Sequence, residues 1–300
     1  MYPFDSHYLD INGFKCHYVD EGRGEPVVMV HGNPTWSFYY RALIESLRGN
    51  FRTIAPDHIG CGLSDKPRAS QYNYTLQTRI DDLEYLIEHL TGPEKINLVV
   101  HDWGGMIGVA YALRHPQKIN RLILFNTAAF PPPDTKNLPW RLRLVRNTGP
   151  LAAALVLGFN VFAVGALYMA SRRGLARDVK GGLIAPYNCW MNRIATLKFV
   201  QDIPLTEQDP SYRIVKEAGE QLQRIADLPM LICWGEHDFV FDADYLAEWR
   251  RRFPDAEVHR FQEAGHYVLE DVPEKIIDIT RSFLERHPLQ KDKPSNEFHQ

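Results

Sequence analysis

Short apolar runs separated by stretches of helical periodicity organise the chain. Residues 27–30, 51–55, 96–100 and 121–125 read as buried strands, and helical patterns fall near 36–47 and 76–90 between them. Two further strands, 7–11 and 14–20, open the chain as a hairpin around the turn dipeptide Asn12-Gly13. Pro131-Pro132-Pro133 interrupts this alternation. From there to about Tyr212 the pattern is helical and turn-rich, and strands return at 229–234 and 257–261. Alternating strands and helices imply a mostly parallel sheet covered on both faces. The expectation is an α/β fold whose core comprises 1–130 and 213–300, with a helical cap inserted at 131–212. The polar residues 290–300 read as a disordered tail.

The run ending at Val100 passes into His101-Asp102-Trp103-Gly104-Gly105 and then into a helix rich in small residues. Strand, tight turn and helix in that order form a nucleophile elbow, a strained turn that lifts one side chain above the sheet. Its apex here is Asp102. A carboxylate is ionised near neutral pH and can displace a leaving group from a saturated carbon, giving an ester of the enzyme itself. Asp also caps helix N-termini, so the neighbouring segments decide. The run at 26–30 leads into His31-Gly32-Asn33-Pro34, where hydrolases of this design place the loop donating the second oxyanion-hole N–H. The run at 229–234 leads into Gly235-Glu236-His237-Asp238, and the run at 257–261 is followed by Ala264-Gly265-His266. Nucleophile, acid and base thus follow in chain order. The acid and the His each lie just beyond a strand's C-terminal end, the edge where open α/β sheets build sites.

These segments resemble the haloalkane dehalogenase family of the α/β-hydrolase fold over roughly residues 5–288. The resemblance rests on His31-Gly32-Asn33-Pro34-Thr35-Trp36, on the run from Pro56 to Asp65, on His101-Asp102-Trp103-Gly104-Gly105 and on Gly265-His266-Tyr267. The first and third are the most specific. Asn126-Thr127-Ala128-Ala129-Phe130-Pro131, Ala185-Pro186-Tyr187, Asn192-Arg193-Ile194 and the run from Gln201 to Leu205 are similar to the β-lactone decarboxylases of long-chain olefin synthesis, which share the family's nucleophile.

The resemblance implies an α/β-hydrolase fold with Asp102 as nucleophile, His266 as base and Asp238 as its acid partner. It implies that Asn33 and Trp103 stabilise the leaving anion, and that their backbone N–H groups cradle the oxyanion. Some related dehalogenases carry the acid after the preceding strand; Asn126 stands there and cannot serve. Three reactions fit: hydrolytic halide release from a haloalkane, β-lactone opening with loss of carbon dioxide, and epoxide hydrolysis. The last calls for cap tyrosines such as Tyr168 or Tyr187 and disfavours Asn33. An intact set of Asp102, Asp238 and His266 argues against a binding module without activity. The expected partner is a small apolar substrate, and no cofactor or metal is implied.

Bulk properties narrow the picture. A net charge of −3 with mixed signs and no basic run gives no sign of nucleic acid. Cys16, Cys61, Cys189 and Cys233 are widely separated, as free thiols of a cytoplasmic protein would be. The N-terminus lacks the basic and apolar regions of a signal peptide. His31 reads as a loop-orienting group, His101 as packing under the elbow and His237 as a surface neighbour of Asp238. Gly60, Gly62 and Ser64 read as a turn, since their spacing matches no phosphate-binding loop. Residues 151–170 carry no charge and approach the length of a membrane span, but Gly158, Asn160 and Gly165 interrupt them. A crossing there would also put Asp102 and His266 on opposite sides of a bilayer. Buried cap helices lining a substrate tunnel are the expected form, with an exposed patch docking on a membrane or a partner as the alternative. The oligomeric state is open.

Overall fold

The structure is a computed structural model and describes residues 2–133 and 139–289. Residues 134–138 of the expected insertion and the expected disordered tail at 290–300 lie outside it. Eight strands form one sheet among the described residues: β1 (His7–Ile11), β2 (Phe14–Glu21), β3 (Pro26–Val30), β4 (Arg52–Pro56), β5 (Ile96–Asp102), β6 (Ile119–Thr127), β7 (Met230–Gly235) and β8 (Glu257–Phe261). Their spatial order is β1-β2-β4-β3-β5-β6-β7-β8, parallel from β4 through β8, with β2 antiparallel to both its neighbours.

Alternate residues of the central strands feed two cores, as the two-residue period of a strand requires. Val28, Val30, Leu98 and Val100 pack with α2 (Leu76–Thr91) and α3 (Trp103–Arg114). Val27, Met29 and Val99 pack on the other face with α1 (Arg41–Leu47) and the long C-terminal helix Pro273–Arg286. The helical pattern expected at 36–47 divides into a 3-10 turn, Ser37–Tyr40, and α1.

The chain leaves β3 for β4 on one side and later places β5 on the other. That reversal is a topological switch point, where the loops after two adjacent parallel strands diverge and leave a crevice. Asn33 follows β3 and Asp102 ends β5, so both sit at this crevice. Beside it, His101 pairs with Phe125 and Asp102 with Thr127, leaving Asn126 as an extra residue in β6. Asn126 Nδ2 donates to the Gly235 carbonyl at 3.0 Å and its Oδ1 accepts from Gly235 N at 2.8 Å. The residue therefore ties the ends of β6 and β7 together.

Between β6 and β7 the described chain is helical, with no strand. It comprises α4 (Trp140–Asn147), α5 (Pro150–Ala153), a π turn (Ala154–Gly158), α6 (Val161–Met169), α7 (Arg177–Ile184), α8 (Ile194–Gln201) and α9 (Tyr212–Gln221), with short 3-10 turns. Asn160, at φ 55°, breaks the apolar run at 151–170, and the helical pieces on either side meet at 67°. Among the described residues no single helix is long and apolar enough to cross a membrane. The run is also less buried than expected. Ala152, Val156, Ala163 and Leu167 are buried, but Leu151, Phe159, Val161, Val164 and Tyr168 are exposed, because the bend leaves one flank of each piece without a neighbour.

The elbow depends on absent side chains. A Cβ on Gly104 would lie 2.0 Å from the Val30 carbonyl oxygen, and one on Gly105 1.7 Å from Thr127 Oγ1. Replacing Gly104 by Ala should cost about 1–3 kcal/mol or more through overpacking against backbone. Gly181→Ala, in the open interior of α7, should stabilise by about 0.5–1 kcal/mol. Urea unfolding of both variants checks the pair of signs.

Candidate active site

Asp102 closes β5 and opens α3 with φ 52° and ψ −127°, a conformation that costs a non-glycine residue free energy and is found where surrounding structure enforces it. The β3 loop and the elbow glycines supply that enforcement. The carboxylate is buried, and its Oδ2 accepts the backbone N–H of Asn33 at 2.6 Å. The N–H of Trp103 also donates to it. The two N–H groups expected for an oxyanion cradle thus converge on Asp102. Burial pushes its carboxyl up to about 6, against the lowering effects of His266 and the two N–H donors.

His266 and Asp238 come from the loops after β8 and β7. His266 Nδ1 lies 2.8 Å from Asp238 Oδ2. Asp238 Oδ1 accepts from Val240 N at 2.7 Å and Phe241 N at 3.1 Å, so the carboxylate is fixed on both sides. Burial lowers the imidazole's proton affinity, but Asp238, by charge and hydrogen bond, and then Asp102 raise it above the ordinary value. His101 lies beneath: its Nε2 donates to the His266 carbonyl at 2.8 Å and its ring stacks on Tyr39. Burial and the His266 charge hold His101 well below the ordinary value. His31 accepts the His58 N–H through Nε2 at 3.1 Å and steadies the β3 loop, while His237 is exposed.

A cavity of about 580 Å³ opens over these groups. Asp102, His266, Asn33 and Trp103 line its floor, and apolar side chains such as Met106, Leu155, Phe162 and Val200 make up much of the wall. Trp103 packs tilted against Phe199, ring centroids 5.2 Å apart, and among the described residues no acceptor meets its indole N–H. Asn33 Nδ2 donates one N–H to the Thr196 carbonyl of α8 at 3.1 Å, so its second N–H remains available to the cavity. Neither Tyr168 nor Tyr187 lines the cavity; the Tyr187 hydroxyl donates to the Thr35 carbonyl at 3.2 Å.

Two supporting groups escape the sequence reading. Asp271 accepts from Gly265 N at 2.8 Å, Arg172 N at 2.9 Å and Arg173 N at 3.0 Å, joining the His266 loop to the helical segment. Arg79 is buried on α2, its guanidinium 3.7 Å from the Phe199 ring centroid, so a cation backs the ring that packs behind Trp103. Neither belongs to a short motif, and each partner lies far away in sequence.

An eight-stranded, mostly parallel sheet carrying an acidic elbow and an Asp–His pair at its strand ends defines an α/β-hydrolase-type enzyme. The chain belongs to the alpha/beta hydrolase fold family, whose profile matches residues 25–273. It is 52% identical over 285 residues to a cis-3-alkyl-4-alkyloxetan-2-one decarboxylase of Shewanella oneidensis, covering 95% of this chain and 89% of that one. It is 31% identical over 277 residues to haloalkane dehalogenase 2 of Mycobacterium tuberculosis, covering 92% and 93%. A mutant of the haloalkane dehalogenase DatA from Agrobacterium tumefaciens superposes with a TM-score of 0.84 at 25% identity, covering 94% of this chain and 97% of that one.

The raised Asp102 value has a stability consequence. The folded state favours the neutral acid, so this contribution is fully present below about pH 4 and is lost as pH rises through about 6. Asp102→Asn should therefore be more stable than wild type at pH 8, by about 2–3 kcal/mol, and equal to it at pH 4. Thermal unfolding across that range checks the prediction; a difference independent of pH would contradict it.

Proposed function

We propose that the protein opens a β-lactone bearing alkyl groups and releases an olefin and carbon dioxide, with Asp102 as nucleophile. The observation that carries this reading is the 52% identity, over nearly the whole chain, to the decarboxylase of Shewanella oneidensis. In this reading residues 131–212 form the cap, and the apolar cavity wall accepts the alkyl chains.

An Asp102 oxygen attacks the ring carbon bonded to the ring oxygen. That carbon–oxygen bond breaks, its electron pair stays on the oxygen, and a carboxylate is freed on the neighbouring carbon. The Trp103 indole N–H and the free Asn33 N–H donate to this carboxylate as its charge develops. The bond joining it to the chain then breaks, releasing carbon dioxide. Its electron pair forms the double bond, and the Asp102–carbon bond breaks to return the free carboxylate. Inversion on attack followed by anti cleavage keeps two cis alkyl groups cis. The sequence consumes neither water nor a proton. His266, made more basic by Asp238, serves as an imidazolium that stabilises the departing Asp102 carboxylate.

A second reading rests on the dehalogenase relatives and the two anion-facing donors. There Asp102 displaces a halide and neutral His266 activates water to hydrolyse the ester. Epoxide hydrolysis has less support, because neither Tyr168 nor Tyr187 reaches the cavity to protonate an alkoxide.

Incubation with a long-chain cis-β-lactone and, separately, a bromoalkane separates the readings. The expected result is cis olefin and carbon dioxide from the lactone, with bromide release far slower. Rapid bromide release without olefin would overturn the proposal in favour of dehalogenation. Asp102→Ala should abolish both reactions, and wild-type turnover should fall as pH drops through about 6, where Asp102 becomes protonated. Trp103→Phe should lower turnover about 10²–10³-fold, the usual effect of deleting one preorganised donor. His266→Phe with a bromoalkane should give one burst of bromide and an alkyl adduct on the peptide containing Asp102, read by mass spectrometry.

A further inference from the structure

We infer that the face around the cavity mouth docks on an anionic lipid bilayer. Several large apolar side chains of the helical segment point to solvent: Phe159 is 76% exposed, Trp140 70%, Tyr168 69%, Leu151 52% and Trp190 48%. On α6 the contrast is sharp. Ala163 and Leu167 are buried, yet the outward flank carries Val161, Val164 and Tyr168 rather than charged residues. A helix facing only water and its own core is polar on its outer side.

Charge supplies the second, independent observation. The whole chain has a net charge of −3, but residues 139–190 contain seven basic side chains (Arg141, Arg143, Arg146, Arg172, Arg173, Arg177 and Lys180) and one acidic, Asp178. Arg141, Arg143, Arg172, Arg173 and Arg177 are exposed. Basic and apolar groups are interleaved. The Arg141 guanidinium lies over the Trp140 ring at 5.3 Å and reaches Met169 Sδ at 3.1 Å, and Lys180 Nζ lies 4.3 Å from the Tyr168 ring centroid. Amphipathic aromatic rings with cations beside them suit the headgroup region of a membrane rich in acidic lipids. A second copy of this chain would present the same positive charge, which opposes a symmetric dimer through this face.

The cavity supplies the orientation. Trp140, Arg141, Leu144, Val161 and Met169 are exposed and also line the cavity, so the same residues rim its opening. A bilayer seated on this rim would let a long apolar chain pass between lipid and cavity without crossing water. That last step rests on the lactone reading; the docking does not, because it is measured without substrate.

Flotation with vesicles of phosphatidylcholine alone, and with about one third phosphatidylglycerol, tests the inference. The expected result is binding to the anionic vesicles at low salt, weakened at high salt as surface charges are screened. Arg143→Glu with Arg177→Glu should reduce partitioning about 25-fold or more, since each basic group near such a surface contributes about five-fold. Phe159→Ser with Tyr168→Ser should also weaken binding. None of these four residues lines the cavity, so turnover of a short-chain soluble substrate reports that the variants fold. Asp102→Ala should float like wild type whatever the reaction proves to be. Absence of vesicle binding, or equal binding to phosphatidylcholine alone, overturns the inference. So does loss of self-association in the variants, read by sedimentation in place of vesicle binding, which would assign the face to a protein contact.

Discussion

A buried carboxylate at the end of a central strand is the constraint on which the rest of this structure depends. Removing Asp102 from water disfavours its charge, and the conformation of its own backbone adds strain. Two backbone N–H groups and a nearby imidazole offset the first term. The second is met by packing so close that Gly32, Gly104 and Gly105 admit no side chain, a Cβ on Gly32 falling 2.2 Å from the Asp102 carboxylate. The sheet order then matters, because only the divergence of the β3 and β5 loops leaves room above the elbow for a reacting molecule. Stability is given up at this point to hold a buried carboxylate at the floor of the cavity.

The fold and the placement of Asp102, Asp238 and His266 were legible because they are encoded locally. Strand runs, the Asn12-Gly13 turn and the elbow each occupy fewer than about ten residues, and the structure places Asp238 against His266 from their separate loops. The illegible part is long-range. The Asn126 clamp on Gly235, the Asp271 hub and the Arg79–Phe199–Trp103 stack join residues whose proximity only the folded sheet creates. The apolar run at 151–170 misled for another reason. Hydrophobicity indicates that a segment avoids water, but cannot say whether protein or something outside it provides the shelter.

The same side chains suit two chemistries that diverge once the ester has formed. Halide release leaves a stable ester that only water can remove, and the His must then be neutral. Lactone opening leaves a carboxylate on the adjacent carbon, which carries the means of its own departure. Burial opposes charge on His266 and Asp238 favours it; that charge decides which course is open, since an imidazolium is a poor base and a good counter-ion. In the proposed scheme the two courses share the attacking group and part at the charge of this imidazole and the access of water to the ester.

The hydrogen bond from Asn33 to the Thr196 carbonyl sets a limit on how this molecule can be recombined. The floor of the site belongs to the sheet, but one of its donors takes its orientation from the backbone of α8. The helical segment is therefore not an interchangeable lid. A chimera that borrowed it from a relative would inherit a new substrate wall, and with it a new angle for Asn33. Divergence in the substrate wall of this architecture is tied to divergence in the orientation of Asn33, and the two traits would be expected to travel together.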